Sequence, residues 1–229
     1  MAYASERNSK MDPSLAEMTK AAIEILQKNE QGFFLLVEGG RIDQAHHENQ
    51  AGKALSETLE LEEAVQVALD LTPSEETMII VTADHGQALS INGYPSRKSD
   101  ILGIGDVSGV DNIPYTILLY GNGPGYDAKT VGEEQEKEEE NEKGGGVAGG
   151  GMGGRSDPSK ANLTDVNYRQ AAAVPQKSAY HSGEDVSLWV TGPHSHLFTG
   201  VYEQSYIAHA MAYAACVGDG LTYCESWSQ

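Results

Sequence analysis

Acids and histidines follow two apolar segments of this sequence. Glu38, Asp43 and His47 come after GFFLLV, and the pair Asp84-His85 comes after MIIVTA. Asp43 and His47 are spaced i, i+4, so on a helix their Cβ atoms would lie about 5 to 6 Å apart on one face. Carboxylates and imidazoles without thiolates suit zinc, and the harder carboxylate of Glu38 suits magnesium. The residue types therefore predict chemistry with divalent cations.

Two strands are expected to bring these residues to one edge of a sheet. GFFLLV (32–37) and MIIVTA (78–83) lack polar alternation, which is typical of strands buried on both faces. A helix predicted over 50–69 lies between them and completes a βαβ unit. Ligands gather outside the carboxyl ends of parallel strands. The predicted fold class is α/β, with a mostly parallel central sheet and helices on both faces.

Other segments extend the α/β pattern. Asp12-Pro13 predicts a helix start with an aspartate N-cap, while YTILLY and VSLWV predict strands and YIAHAMAYAAC predicts a helix. The positions expected to face inward are Leu15, Met18, Ala22, Ile25 and Leu26 in the first helix, and Leu55, Leu59, Ala64, Val65 and Ala68 in the second.

The composition limits the class of protein and its partners. A hydrophobic content of 39 % is enough for a globular core. With 34 acidic and 15 basic residues the formal charge is -19, which would repel nucleic acid and anionic membranes. The sequence has no run of about 18 apolar residues and no secretory signal at its start. We therefore expect neither a membrane span nor nucleic acid as a specific partner.

An acidic block joined to a glycine-rich block occupies residues 133–156. This segment has almost no apolar group to bury, so ordering it would cost entropy without compensation. We expect a disordered, solvated surface loop. The alternative is an acidic segment that binds cations or a partner.

Two cysteines, Cys216 and Cys224, enclose the short segment VGDGLTY. A disulfide could close this loop, and it would indicate an oxidising compartment. Two unrelated reduced thiols are the alternative. The sequon at Asn162 points in the same direction, because glycosylation belongs to secreted proteins.

Several short motifs occur in a fixed order along the chain, namely VEGGRID followed by HH, then VTADH, YGNGPGY, YRQ, AVP and HSGED. In their order and rough spacing they resemble the motifs of animal-type alkaline phosphatases. The resemblance covers nearly the whole chain except the acidic and glycine-rich insert. It implies zinc- and magnesium-dependent hydrolysis of phosphate monoesters through a phosphoserine intermediate. It also implies a homodimer, with Tyr94 as an interface residue, at the cell surface or outside the cell, lipid-anchored in many relatives.

The resemblance also implies a role for individual residues. His181 is chosen by its HSGED context over the other histidines, of which His46 is expected to support the metal site or lie at the surface and His209 to pack in the core. For Asp12 an ordinary N-cap is the alternative to calcium binding. The implied ligands are Asp43, His47 and His181 for a first zinc, Asp84 and His85 for a second zinc, Glu38 for magnesium and Asp12 for calcium.

The sequence also departs from the family pattern. The nucleophilic serine of the family follows an aspartate, and no aspartate in this sequence precedes a serine. The family's second-zinc aspartate, the hydroxyl residue of its magnesium site and its phosphate-binding arginine have no match, since Arg41 is not that arginine. Gln87 stands where many relatives have a second histidine, which affects the tuning of the metals. The chain thus resembles a C-terminal half that requires an N-terminal half and is nearly inactive alone.

The resemblance divides the chain into three parts. Residues 1–90 and 181–229 would belong to the α/β core, and residues 91–180 would form a crown-like surface insert. A relative of phosphoglycerate mutases or sulfatases is an alternative, although YGNGPGY and HSGED argue against it. A non-catalytic product that binds metal or a partner chain is another.

Overall fold

The computed structural model describes residues 2–126 and 155–218. Most of the predicted loop at 133–156 lies outside the described residues, and so does Cys224, so the predicted disulfide stays a prediction. The chain divides into two compact units. The first consists of Met1–Leu15, Val37–Leu61 and His85–Glu184, and the second of Ala16–Leu36, Glu62–Asp84 and Asp185–Gln229.

All the predicted helices form. They are α1 (Leu15–Leu26), α3 (Ala51–Leu71) and α4 (Ser205–Ala214), and the short helix α2 (Arg41–His47) carries the predicted Asp-x3-His pair. Because α1 begins at Leu15, three residues after Asp12, the prediction that Asp12 is its N-cap is wrong. Short 3-10 turns occur at Ala4–Glu6, Pro158–Lys160 and Ser195–Phe198. None of the helices within residues 2–126 and 155–218 combines the length and the apolar composition that a bilayer span requires.

The buried faces of α1 and α3 differ in part from the expected ones. In α1 the buried residues are Thr19 and Ile23, whereas Met18 is 37 % exposed and Ile25 is 63 % exposed. The buried stripe therefore lies one residue away from the predicted one, a turn of about 100° around the axis. In α3 Ala64 is buried as predicted, but Leu59 is 60 % exposed.

Nine short strands pair in the described part of the chain. They are β1 (Ile79–Val81), β2 (Gly86–Gln87), β3 (Leu89–Ile91), β4 (Ile104–Val107), β5 (Pro114–Thr116), β6 (Leu118–Gly123), β7 (Ala172–Pro175), β8 (His181–Ser182) and β9 (Trp189–Thr191). The pairs β1–β9, β2–β8, β3–β6 and β4–β5 are antiparallel, and β6–β7 is parallel. Helices with mixed sheets confirm the α/β class, whereas the prediction of mostly parallel pairing is wrong for the described strands.

The βαβ unit predicted at the metal motifs does not form. MIIVTA contains the strand β1, but GFFLLV is not a strand, and its Phe34 and Leu36 are 71 % and 79 % exposed. A strand exists through hydrogen bonds to a neighbour, and no described residue pairs with 32–37. The apolar pattern was therefore not sufficient to predict this strand.

The core of the first unit lies around β6, between β3 and β7. Leu118 and Tyr120 alternate into the interior, which is the period of two that a strand imposes. Around them pack the small side chains that allow close approach. The buried cluster consists of Ala51, Ile117, Leu118, Tyr120, Ala172 and Ala179.

Candidate metal centre

Helix α2 presents two of the predicted metal ligands on one face. It begins directly after Gly39-Gly40, and its first turn contains Asp43. Because Asp43 and His47 are one helical turn apart, His47 Nε2 lies 3.1 Å from Asp43 Oδ2. The two side chains therefore lie on one face of α2, as their i, i+4 spacing predicts.

The antiparallel pair β2–β8 brings two further histidines to the same carboxylate. His181, the first residue of β8, places Nε2 3.2 Å from Asp43 Oδ1 and 3.2 Å from His47 Nε2. His85, which precedes β2, places Nε2 4.0 Å from Asp43 Oδ1. The rings of His85 and His181 are stacked, with centroids 3.4 Å apart. Ligand atoms of Asp43, His85 and His181 all lie within 4.8 Å of one another.

The hydrogen bonds of these imidazoles show which nitrogen faces the centre. His47 Nδ1 donates to the carbonyl oxygen of Ala179 at 2.5 Å, and His85 Nδ1 lies 3.2 Å from the carbonyl oxygen of Gly86. In the neutral tautomer that donates from Nδ1, the Nε2 lone pair points away from these carbonyls. The Nε2 atoms of His47, His85 and His181 therefore converge on the carboxylate of Asp43. A divalent cation would satisfy this donor set, so the residues present fit one.

Gln87 is a contact of the centre that the sequence did not assign. Its Nε2 donates a short hydrogen bond to Asp43 Oδ1, and its Oε1 is buried without a hydrogen-bond partner among the described residues. Gln87 faces His181 across the β2–β8 pair. The sequence marked Gln87 only by the histidine that it replaces in many relatives, and the contact itself could not be predicted because the register of two distant segments cannot be read from either one alone.

The remaining predicted ligands are not in the group of described residues whose ligand atoms lie within 4.8 Å of one another. Glu38 is exposed at the start of the VEGG segment, and Asp84 is exposed in the second unit. Asp12 is partly buried, and its carbonyl oxygen accepts a hydrogen bond from Arg7 Nη1 at 3.1 Å. Their assignments to magnesium, to the second zinc and to calcium stay predictions.

The burial of two other histidines, His46 and His209, differs from what the sequence predicted. His46 is buried, with 8 % of its surface exposed, and its Nδ1 shares a hydrogen bond of 2.7 Å with the hydroxyl of Tyr120. Burial lowers the pKa of His46 to about 4, against the opposing attraction of Asp43. The surface alternative for His46 is therefore wrong. His209 is exposed on α4, so the prediction that it packs in the core is also wrong.

The chain is similar to known alkaline phosphatases in sequence and in fold. The profile of the family described as Alkaline phosphatase matches residues 1–217. The tissue-nonspecific alkaline phosphatase isozyme of Gallus gallus is 46 % identical over 99 % of this chain, and that of Homo sapiens is 44 % identical over 98 %. The crystal structure of a cold-active alkaline phosphatase from a psychrophilic Shewanella sp. matches 92 % of the chain with a TM-score of 0.54 and 24 % identity.

The chain spans only part of the proteins it matches. It covers 40 % of the Gallus gallus isozyme, 39 % of the human isozyme and 52 % of the Shewanella chain. Within that part the motifs around Asp43, His85 and His181 lie inside the matched range of the family, and the fold match is of the α/β type predicted from the sequence. This chain therefore belongs to the alkaline phosphatase family.

Proposed function

We propose that this chain holds catalytic divalent cations of an enzyme that hydrolyses phosphate monoesters. The observation that carries the proposal is the carboxylate of Asp43, which three imidazoles approach through Nε2 at 3.1, 3.2 and 4.0 Å. Such a set binds a transition-metal cation strongly, and a surface of net charge -19 would otherwise repel an anionic substrate. Phosphate monoesters are the substrate class that membership of the family supports.

The residues of the chain have distinct tasks in this proposal. Asp43 supplies negative charge on both carboxylate oxygens, and His47, His85 and His181 supply neutral nitrogens. The carbonyl of Ala179 fixes the tautomer of His47 by accepting from Nδ1. When bound, a divalent cation stabilises charge on phosphate oxygens and lowers the pKa of bound water.

Zinc is the metal that this donor set favours. Nitrogen ligands with one carboxylate suit zinc better than magnesium or calcium, which prefer oxygen. We extend the proposal to a second zinc at Asp84 with His85, to magnesium at Glu38 and to calcium at Asp12. The support for these three is the resemblance of the surrounding motifs to those of the family.

The chain by itself is proposed to turn over little substrate. The family resemblance requires a serine after an aspartate as nucleophile, and none of the aspartates here precedes a serine. Loss of a nucleophile from a catalytic set costs on the order of 10⁶ in rate. A polypeptide that carries the complementary N-terminal half would supply this group. A homodimer and an extracellular or cell-surface location, lipid-anchored in the whole protein, complete the proposal.

Zinc binding and turnover test the proposal separately. Isothermal titration of the metal-free chain with zinc should give a tight site, and Asp43→Asn should weaken that site by more than tenfold because a charged ligand is lost. Asp157→Asn is the matched control, since this half-buried aspartate contacts Ser159 and Lys160 and none of the three histidines. Equal zinc affinities for the unsubstituted chain and Asp43→Asn would contradict the metal centre.

Hydrolysis of p-nitrophenyl phosphate distinguishes the alternatives. The proposal expects little turnover by the chain with zinc and magnesium, and turnover after an N-terminal half of a relative is added. Metal binding without turnover in either mixture would favour a non-catalytic, metal-binding product. Rapid turnover by the isolated chain would show that a nucleophile other than the expected serine operates.

A further inference from the structure

We infer that Asn122, in the motif YGNGPGY, is a positioning residue for His181 in the metal centre. This inference rests on the proposed function. Asn122 lies at the end of β6, and its Oδ1 accepts the backbone N–H of Tyr180 at 2.7 Å. Tyr180 directly precedes His181, so this hydrogen bond fixes the backbone from which the imidazole projects.

The segment that leads into β8 is held from a second side by α2. The N–H of Ala179 donates to the carbonyl oxygen of His47 at 2.9 Å, and His47 Nδ1 donates to the carbonyl oxygen of Ala179. Consecutive residues are thus anchored to two different elements. Ala179 is tied to the last residue of α2, and Tyr180 is tied to Asn122.

Asn49 connects these two anchors. It is fully buried, and it adopts a left-handed backbone with φ of 56° just after α2. Its Nδ2 donates to the carbonyl oxygen of Asn122 at 3.2 Å, and its Oδ1 accepts the N–H of Gly125 at 2.8 Å. A continuous set of hydrogen bonds therefore runs from the end of α2 through Asn49 and Asn122 to Tyr180.

The glycines of the motif make this arrangement sterically feasible. A Cβ on Gly123 would lie 2.2 Å from Asn49 Oδ1, and a Cβ on Gly125 would lie 1.9 Å from the carbonyl oxygen of Gln170. Both distances are far below van der Waals contact. The N-G-P-G spacing therefore lets the loop approach Asn49 closely enough for both of its side-chain hydrogen bonds.

The consequence for the metal centre is geometric. Asp43 and His47 are held in place by α2, whereas His181 lies more than a hundred positions further along the chain. Its Nε2 reaches Asp43 and His47 at 3.2 Å only while Tyr180 stays in place. Ligand sets must be held within about 0.5 Å to bind metal well, and residues that hold ligands typically change metal affinity 10- to 100-fold when removed.

The test compares Asn122→Ala with Asn122→Asp in the full chain. Alanine removes the acceptor for the N–H of Tyr180, while aspartate retains an oxygen at that position. Zinc affinity is measured by competition with a chromogenic chelator, and the ligand geometry by the visible absorption of bound cobalt(II). We expect Asn122→Ala to weaken zinc binding by about tenfold or more and to alter the cobalt spectrum. Asn122→Asp should restore both.

Controls separate positioning from general damage. Asn167→Ala changes an exposed asparagine in the same unit and should leave zinc affinity and the cobalt spectrum unchanged. If Asn122→Ala does not fold, Asn122→Ser takes its place, since its hydroxyl ends one atom short of the amide oxygen. Circular dichroism of the metal-free variants establishes which of them fold.

Two results would overturn the inference while the metal centre stands. One is wild-type zinc affinity and cobalt spectrum in a folded Asn122→Ala or Asn122→Ser variant. The other is an Asn122→Asp variant as impaired as the alanine variant, which would indicate a structural role for the amide. If the unsubstituted chain binds no zinc, the proposed function fails and this inference fails with it.

Discussion

Gln87 and His181 face each other across the β2–β8 pair, and both side chains reach the same oxygen, Oδ1 of Asp43. Gln87 donates to it through Nε2, and His181 Nε2 lies 3.2 Å from it. The other oxygen, Oδ2, lies 3.1 Å from His47. The amide thereby fixes the rotation of the carboxylate, so that one oxygen faces β8 and the other stays on the helix side.

Replacing Gln87 with leucine should weaken zinc binding by about tenfold, because Asp43 loses the donor that orients it. Isothermal titration with zinc measures the effect. Gln66→Leu is the matched control, since Gln66 makes the same amide-to-carboxylate contact with Asp70 at 2.8 Å on an exposed face of α3. Equal losses in the two variants, or none in Gln87→Leu, would count against an orienting role.

Replacing Tyr120 with phenylalanine should lower the free energy of unfolding by about 1 to 3 kcal/mol. The hydroxyl is fully buried, and its loss leaves Nδ1 of the buried His46 without its partner. Urea denaturation of the metal-free chain gives the value. At a concentration where the chain is monomeric, Tyr94→Phe removes a hydroxyl from a side chain that is fully exposed in the single chain, and it should change stability by less than about 0.5 kcal/mol. An unchanged free energy of unfolding in Tyr120→Phe would mean that His46 Nδ1 finds another hydrogen-bond partner.

Replacing Gly125 with alanine should destabilise the first unit by about 2 to 3 kcal/mol or more. The new methyl group would overlap the carbonyl oxygen of Gln170, and backbone would have to shift to make room. Thermal and urea unfolding measure the change. At Gly109 a Cβ meets nothing within 4 Å, so Gly109→Ala should be neutral or slightly stabilising. Similar stabilities for both variants would show that the loop relaxes freely.

Arg155 and Asp111 form a pair whose effect on stability depends on pH. Arg155 Nε and Nη2 donate to the two carboxylate oxygens at 3.0 and 2.9 Å, and the N–H of Ile113 donates as well. Hydrogen bonds from Arg155 first, and then from Ile113, hold the pKa of Asp111 well below its usual range. Because the folded pKa is lower than the unfolded one, this stabilisation is complete above about pH 4 and is lost as the pH falls through the folded pKa.

Arg155→Gln should therefore raise the pKa of Asp111 toward its ordinary value and reduce resistance to acid unfolding. Carbon-13 NMR of the Asp111 carboxyl group during a pH titration measures the shift. Lys160→Gln is the control, because Lys160 pairs with Asp157 and should leave the titration of Asp111 unchanged. An unchanged pKa of Asp111 in Arg155→Gln would show that the backbone donors alone are sufficient to keep that pKa low.

Local spacing predicted the part of the centre that lies on one element. Asp43 and His47 lie close together because helix geometry alone brings positions i and i+4 together. Both residues belong to the same short segment of the sequence, so their proximity could be predicted from it. His181 was selected only through the resemblance of its HSGED context, since its approach to Asp43 depends on the β2–β8 register. The contacts of Gln87, Ala179 and Asn122 depend on the same long-range pairing and could not be read from local pattern.

The fold was predictable where the spacing of apolar residues within one segment indicates the secondary structure of that segment. Helices α1, α3 and α4 follow from apolar positions at helical spacing, although the exact buried face of α1 was missed by one residue. The strand predictions failed more often than the helix predictions. A strand requires a hydrogen-bonded partner strand, and the local sequence does not indicate where that partner lies. GFFLLV has the composition of an interior strand, yet no described residue pairs with it.

That uncovered apolar segment has consequences for handling the protein. Short windows with high β propensity, no proline and no charge are the ones that stack between chains into fibrils, and Phe34 and Leu36 are largely open to solvent. The formal charge of -19 opposes this by mutual repulsion between copies. Salt screens such repulsion within about 10 Å at 0.1 M. Colloidal stability should therefore decline as ionic strength rises, and dilute, low-salt buffers should keep the protein monodisperse.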